Sequence, residues 1–338
     1  MSRYFDPQLI NGPFDDPGLY VDLVFQRRAL LFDLGDTSAL PPRKLLRIGH
    51  VFITHRHMDH FIGFDNFLRC LLGRETTVGM WGTPGLIGAV ESKLNAYTWN
   101  LVSGYDGNLV LEVSELSADG WIQRARFSGR DSFRREELPG SHCENGVVVA
   151  DPGFSVRAVM LDHGIPVLGF ALQERAGINI RRDRVEALGL AVGPWLRRFK
   201  DAIVTGAADD AKIGVAWADT GEKRPSEFPL GELKEQIMTL TRGRKIAYVA
   251  DVAFTRKNSE IITDLAADAD ILFIEATFLE ADADHAAARR HLTAKQAGLL
   301  ARRANVRKLK TFHYSPRYRG HEARLEHEAM AAFRGCST

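Results

Sequence analysis

Thr54-His55-Arg56-His57-Met58-Asp59-His60 decides how this chain is read. It stands directly behind Val51-Phe52-Ile53, a short apolar run that reads as a buried strand, and it places four candidate metal ligands within residues 55–60. Imidazole nitrogens suit zinc and its neighbours, and a carboxylate adds a harder oxygen. His55 and His57 lie two apart, so in an extended segment they point to the same side. Asp59 and His60 then enter the following turn and helix start, where they can serve a second cation close to the first. An isolated histidine pair is weak evidence of anything; four ligands behind a strand end predict a metal site.

Composition bounds the rest. The 338 residues suit one large domain or two small ones. Hydrophobic residues make up 45% and charged residues 26%, which excludes a disordered chain. No apolar run approaches the ~18 residues that a membrane span needs, and the N-terminus lacks the apolar core of a signal peptide. The expectation is therefore a cytoplasmic protein with no membrane partner. Cys70, Cys143 and Cys336 show no CxxC spacing, so neither a disulfide framework nor a cysteine zinc site is implied. Lys plus Arg number 44 against 43 Asp plus Glu, a net charge of +1. Any nucleic-acid binding has to come from a local basic patch.

Apolar clusters predict strands at Tyr20–Phe25, Ala29–Leu34, Val51–Ile53, Val78–Trp81, Leu109–Val113, Val147–Val149, Ser155–Leu161, Val167–Leu172, Lys245–Ala250, Ile271–Ile274 and Lys308–Phe312. Helical spacing covers Phe64–Leu72, Arg182–Leu188, Leu230–Leu240 and Thr293–Ala304. Residues from about Arg175 to Arg244 are the most polar and charge-rich, and read as an insertion.

The THxHxDH run behind a strand resembles the signature of the metallo-β-lactamase superfamily of dinuclear metal hydrolases. Six further motifs, in order, resemble those of its ribonuclease Z branch, the tRNA 3′-processing endonucleases. Leu30-Leu31-Phe32-Asp33-Leu34-Gly35-Asp36 matches a strand that ends in an aspartate, here Asp33, which in the family supports the metal loop by hydrogen bonds. Leu161-Asp162-His163-Gly164-Ile165-Pro166 matches the third motif, whose histidine is a metal ligand, on a segment ending at Glu174. Ile246-Ala247-Tyr248-Val249-Ala250-Asp251 ends in the aspartate that bridges two metals in the family. Ile274-Glu275-Ala276-Thr277-Phe278 and His291-Leu292-Thr293-Ala294-Lys295-Gln296-Ala297 resemble HEATF and HSTAxQA, the most branch-specific pair. His313-Tyr314-Ser315-Pro316-Arg317-Tyr318 resembles HxSxRY, whose histidine is the last ligand.

This resemblance implies an α/β fold, one αββα sandwich of two mixed β-sheets face to face with helices outside and metals at one edge. It implies a single domain over residues 1–338, with an arm at about 175–244. It assigns metal one to His55, His57 and His163, metal two to Asp59, His60 and His313, and the bridge to Asp251. The cofactors would be two divalent ions, with zinc first and manganese or iron suiting the same ligands. His291 would be a general acid oriented by Glu275, a role that fits the need of a phosphodiester's leaving oxygen for a proton. Asp59 would also hold the attacking water. The implied function is an endoribonuclease that removes 3′ trailers from tRNA precursors through a metal-activated water, in a homodimer. The arm would bind RNA through Gly193, Pro194, Arg197, Arg198 and Lys200, preceded by Arg181, Arg182 and Arg184, with Trp195 packing or stacking on RNA; the plain alternative is an amphipathic helix with a solvated face. Arg317 and Arg319 are further phosphate-contact candidates. Arg302, Arg303, Arg307 and Lys308 read as a solvated helix end.

Spacing alone supports dinuclear metal hydrolysis and leaves two other expectations open. One is a small-molecule hydrolase of the same fold, such as a cyclic-nucleotide or other phosphodiesterase or, against the Glu275 and His291 pair, an ester or lactam hydrolase. The other is a non-catalytic nucleic-acid-binding relative. Two stretches depart from the branch: Leu9–Pro17 stands where a glycine-rich LGTGxxxP turn is usual, and residues 97–140 match no motif. His50, His142, His285, His321 and His327 have no motif around them and read as structural or exposed.

Overall fold

Eight strands follow one another along the first part of the chain and lie in one sheet in that same order. They are β1 (Phe5–Leu9), β2 (Leu19–Leu23), β3 (Arg28–Phe32), β4 (Ile48–Phe52), β5 (Thr76–Gly82), β6 (Leu109–Leu116), β7 (Trp121–Ser128) and β8 (Arg135–His142). The computed structural model describes residues 4–24, 26–218 and 226–335; Phe25, expected to close a strand, and Cys336 lie outside them. Connection length sets strand direction. Helices α1 (Pro42–Leu45), α2 (Phe64–Leu71) and α3 (Leu86–Asn95) carry the crossovers, so β3 to β6 run parallel. Shorter connections join β1 to β3 and β6 to β8, and those pairs are antiparallel.

The chain continues through β9 (Val147–Ala150), β10 (Phe154–Asp162) and β11 (Pro166–Glu174). After residues 175–243, which hold β12 to β15 and α4 to α6, it returns as β16 (Lys245–Val249), β17 (Ile271–Glu275) and β18 (Leu309–Phe312). These form a second, six-stranded sheet in the order β18-β17-β16-β11-β10-β9. Its β16, β17 and β18 are parallel, joined by α7 (Arg256–Leu265) and by α8 (Ala283–Arg289) with α9 (Ala294–Arg303); α10 (Glu322–Arg334) closes the chain.

Three apolar clusters define four layers. Phe32 and Phe52 of the first sheet meet Phe170 and Tyr248 of the second in a core between the sheets. The outer face of the first sheet buries Val51, Val78 and Leu111 against Phe64, Phe67 and Val90 of α2 and α3. The outer face of the second buries Ala247, Leu272 and Ile274 against Ile262, Ala297 and Leu325 of α7, α9 and α10. Two mixed sheets flanked by helices are thus observed, as the sequence implied.

The chain divides into two compact units, residues 1–174 with 244–338, and residues 175–243. The second unit has a core of its own, which the reading of this segment as a polar, charge-rich insertion did not foresee. It holds β12 (Gly177–Ile180), α4 (Arg182–Ala187), α5 (Trp195–Val204), β13 (Lys212–Gly214), β14 (Glu227–Pro229), α6 (Leu230–Ile237) and β15 (Met238–Thr241). Val185, Trp195, Phe199, Leu230 and Leu233 pack together there. Two expectations need correction. Trp195 is buried and donates its indole N–H to the Ala191 carbonyl at 2.7 Å, so it anchors this core and offers no face to a base. The helix expected over Leu230–Leu240 stops at Ile237, because Met238–Thr241 pairs antiparallel with Gly177–Ile180.

Candidate metal centre

The site forms where strands of both sheets end. β16, β17 and β18 run side by side and deliver Asp251, Glu275 and His313 at their C-terminal ends, while β3 and β4 deliver Asp33 and His55. Asp33, Asp251 and His313 have φ of 59°, 48° and 60°, the left-handed region that non-glycine residues rarely adopt. Such strained backbone clusters at functional sites, held there by its surroundings. Beneath the histidine loop the backbones close up. A Cβ on Gly63 would lie 2.0 Å from the Gly35 carbonyl oxygen, so only glycine fits there.

Asp33 organises the loop. One carboxylate oxygen accepts the Thr54 N–H at 2.7 Å and its hydroxyl at 2.9 Å. The other accepts His60 Nδ1–H and the Tyr248 hydroxyl, both at 2.9 Å. His60 Nε2 is thereby turned toward Asp251, at 3.4 Å. His163 is oriented likewise: its Nδ1–H donates to the Arg290 carbonyl at 2.8 Å, leaving Nε2 3.8 Å from Asp251. His55 Nε2 stands 3.6 Å from the same carboxylate. Asn258, buried on α7, donates to the carbonyls of Asp162 and Ala253 and so ties the chain before His163 to the chain after Asp251.

Two groups of side chains could each hold a cation: His55, His57, His163 and Asp251, and Asp59, His60, Asp251 and His313. In each, the ligand atoms lie within 4.8 Å of one another. Two ligands bound ~2.0–2.1 Å from a tetrahedral zinc stand roughly 3.3 Å apart, and the His60–Asp251, His60–Asp59 and His313–Asp59 separations are 3.4, 3.5 and 3.2 Å. His55 Nε2, His60 Nε2 and Asp251 Oδ1 are buried without a hydrogen-bond partner. Unpartnered buried polar atoms are costly, and a divalent cation at each group would satisfy them. The donor set therefore fits two cations that share Asp251. A third group, Asp251, Glu275, His291 and His313, also converges. Its Glu275 is already saturated: one oxygen accepts Val252 N–H at 2.6 Å, and the other accepts the Thr277 hydroxyl at 2.5 Å and His291 Nδ1–H at 2.9 Å.

Proton affinities follow from this packing. Burial, with the charge of His60 beside it, pushes His55 down to about 2, so it is neutral and free to ligate. His57 is lowered as well, chiefly by burial. Burial also works against charge on His60, but Asp33 and Asp251 outweigh it and hold that imidazole well above its ordinary value. For Asp251 burial favours the neutral acid, and His313 and His60 overcome it, keeping the carboxylate ionised. Asp59 follows the same pattern and falls to about 2 through its hydrogen bond to His313. His291 loses some proton affinity to burial and gains more from Glu275, ending at about 9.

All the sequence-derived ligands meet at this edge, and Glu275 and His291 adjoin it. Arg317 lines its mouth. Gly193, Pro194, Arg197, Arg198 and Lys200 belong to the 175–243 unit, where Arg197, Arg198 and Lys200 are exposed on α5. Thr54, Tyr248, Thr277 and Asn258 were missed. Thr54 and Tyr248 sit inside quoted motifs, but nothing in a one-dimensional pattern tells a hydroxyl that bonds Asp33 from one that fills a core.

No family model matches the chain. A ribonuclease Z from Deinococcus radiodurans is 30% identical over 317 residues, covering 92% of this chain and 90% of that protein. Among solved structures, the short form of human tRNase Z superposes with a TM-score of 0.50 at 18% identity, covering 93% of each chain. The metallo-β-lactamase fold protein YhfI from Bacillus subtilis gives a TM-score of 0.53 at 14% identity, covering 97% of this chain and 92% of that one. The two structural likenesses speak to the fold alone.

Proposed function

This chain belongs to the ribonuclease Z family and is a metal-dependent hydrolase, and from that footing we propose that it is the endoribonuclease that removes 3′ trailers from tRNA precursors. The observation that carries this reading is the Glu275–His291 pair beside two ligand groups that share one carboxylate. Expulsion of a thiolate from a thioester needs no proton donor at that place; expulsion of a ribose 3′-oxygen does.

His55, His57 and His163 would hold one cation, Asp59, His60 and His313 the other, with Asp251 between them. Two such ions supply acidification of a water and neutralisation of phosphate charge. Asp59, held ionised, would orient the attacking water as an acceptor. Glu275 raises the proton affinity of His291, and because Glu275 occupies Nδ1, the proton it can give is on Nε2. Delivered to the departing 3′-oxygen, it leaves a 3′-hydroxyl on the tRNA and a 5′-phosphate on the trailer. Asp33, with Thr54 and Tyr248, keeps His60 in its ligating tautomer. The exposed cations of α4 and α5, Arg182, Arg197 and Lys200, line one groove of the 175–243 unit, with Arg198 on the same helix, and would meet RNA phosphates.

Zinc is the cation the imidazole-rich set favours, with manganese and iron suiting the same ligands. We take the protein to act as a cytoplasmic homodimer; no described helix is long and apolar enough to cross a membrane. The test is a two-substrate assay on one metal-quantified preparation, comparing a precursor tRNA carrying a 3′ trailer with bis(p-nitrophenyl) phosphate. Cleavage of the precursor at the trailer junction is the expected result. Turnover of the small ester alone would assign the same chemistry to a different phosphodiester.

A further inference from the structure

A cavity of about 470 Å³ opens from Asp59, His291 and His313 and is lined by both acidic and basic side chains. One lip is the atypical N-terminal loop, which brings Asp15 and Asp16 to the opening, with Asp15 3.6 Å from the Arg319 guanidinium. That loop is pinned in place: Asn11 donates to the Asp16 and Asp36 carbonyls, and Tyr314 N–H donates to the Pro13 carbonyl at 2.7 Å. The other lip is basic. His285 and Arg289 lie one turn apart on α8, and Arg317 follows the last ligand strand. Phe278 joins the basic group, with its ring 5.0 Å from His285 and the Arg317 guanidinium 5.5 Å above it. Arg317 shares Asp282 at 3.7 Å, and Arg289 is exposed with no ion pair among the described residues.

We propose that His285, Arg289 and Arg317 form a phosphate subsite that receives the 5′-phosphate of the nucleotide whose 3′-oxygen departs. The inference rests on the trailer-removal reading, because that reading places the departing oxygen at His291. From there a chain of neighbouring rings leads outward: His291 lies 6.1 Å from Phe278, and Phe278 touches His285 and Arg317. The nucleotide that keeps the departing oxygen therefore lies along this wall. Its own 5′-phosphate meets two arginines there. Guanidinium groups suit this task, since they stay charged and present paired donors to phosphate.

A nucleoside 5′-monophosphate is the end of the product in miniature, with a free 3′-hydroxyl and one upstream phosphate. The test measures inhibition of bis(p-nitrophenyl) phosphate turnover by adenosine 5′-monophosphate and by adenosine, in metal-loaded enzyme. The readout is the ratio of the two inhibition constants within each variant. In the native enzyme the monophosphate should bind more tightly. In Arg289→Gln, and further in Arg289→Gln/Arg317→Gln, that advantage should fall by about tenfold or more, the scale of a charge-assisted hydrogen bond. Arg289 has no ion pair to lose, so its single variant carries the test if the double variant fails to fold. An unchanged ratio, or no advantage in the native enzyme, overturns the subsite. Precursor cleavage by the native enzyme is scored separately. Its absence alongside a collapsing ratio would defeat the RNA reading and keep the subsite; its presence alongside an unchanged ratio would do the reverse.

Discussion

The strand-end site and the 175–243 unit solve opposite problems. At the site the organising groups are buried and hydrogen-bonded to particular partners, as Asp33 is to Thr54, His60 and Tyr248, while His57 is exposed and Asp59, His291 and His313 are half-buried. In the 175–243 unit the partners are apolar, Trp195 and Phe199 among them, and the candidate functional groups are what the core leaves outside. Chemistry at the first depends on where a proton or lone pair points. Binding at the second depends on how much positive charge stands in solvent. Substitutions should therefore act steeply and individually at the site, and shallowly and in sum on the α4–α5 face.

Asp251→Ala is the sharpest way to break that contrast. It removes the one carboxylate common to every ligand-like group. Metal content measured by mass spectrometry should drop below one ion per chain, and turnover of precursor and small ester should fall to background together. Two retained ions with activity would mean that the shared carboxylate is not the bridge.

His291→Ala should separate chemistry from assembly. Both ions should remain, while kcat on the precursor drops ~10²–10⁴-fold, the usual worth of a general acid. bis(p-nitrophenyl) phosphate, whose leaving phenolate needs no proton, should lose far less. An equal loss on both substrates would make His291 structural. The pH profile adds a second readout. Glu275 lifts the His291 pKa above its ordinary value, to about 9, so the donating imidazolium persists through neutrality and is lost as pH rises through that value. Bound cations pull the value down from there, because positive charge favours the neutral ring. The alkaline fall in precursor cleavage should therefore lie at or below about pH 9, and Glu275→Gln should move it to lower pH. Any stability contributed by the pair has the same sign: it is complete below about pH 6.5 and disappears as pH approaches 9.

How much of this was legible in the sequence differs between the two regions for the same physical reason. A ligand needs a particular atom at a particular place, which confines residue type and spacing, so THxHxDH, Asp251 and His313 could be read from the order of letters. Hydrogen-bonded supports tolerate more. Tyr248 was read only as part of a buried strand, and Asn258 was not singled out, although it ties together the segments that carry His163 and Asp251. The edge strand β8 of the first sheet was missed for a third reason. β8 reads Arg-Glu-Glu-Leu-Pro-Gly-Ser-His and lies at the sheet edge with no buried residue, so it carries no apolar alternation to detect. In the 175–243 unit, composition marked the segment and periodicity marked its helices. Its apolar core was hidden because charged residues outnumber the few side chains that fill it.

Asp33→Asn tests the supports. It keeps the shape of the side chain and turns one acceptor into a donor, facing Thr54, His60 Nδ1–H and the Tyr248 hydroxyl, which all need acceptors. Metal affinity should weaken by ~10–100-fold, the range found for groups behind a ligand. Tyr248→Phe removes a single hydroxyl from the same carboxylate and should cost less. Metal titration by calorimetry would show both. If Asp33→Asn binds both ions normally, the orientation of His60 does not depend on it.

The smallest effects should come from the exposed cations, and they should be additive. Arg182, Arg197 and Lys200 line one groove beside Leu196, outside the buried core of Val185, Trp195 and Phe199, so replacing them with alanine leaves that core intact. Each cation withdrawn from an RNA phosphate takes roughly 0.7–0.9 off the slope of log affinity against log salt. The triple variant should therefore flatten the slope of precursor binding by roughly two units, and each single variant by about a third of that. The share of binding lost in the triple variant should be the same at pH 6 and at pH 9, because arginine and lysine keep their charge across that range, while precursor turnover changes through His291. The ratio of kcat/KM on precursor to kcat/KM on bis(p-nitrophenyl) phosphate should fall in the same graded manner. A single variant that abolished cleavage outright would show that the α4–α5 face, like the metal edge, works through one positioned group and not through summed charge.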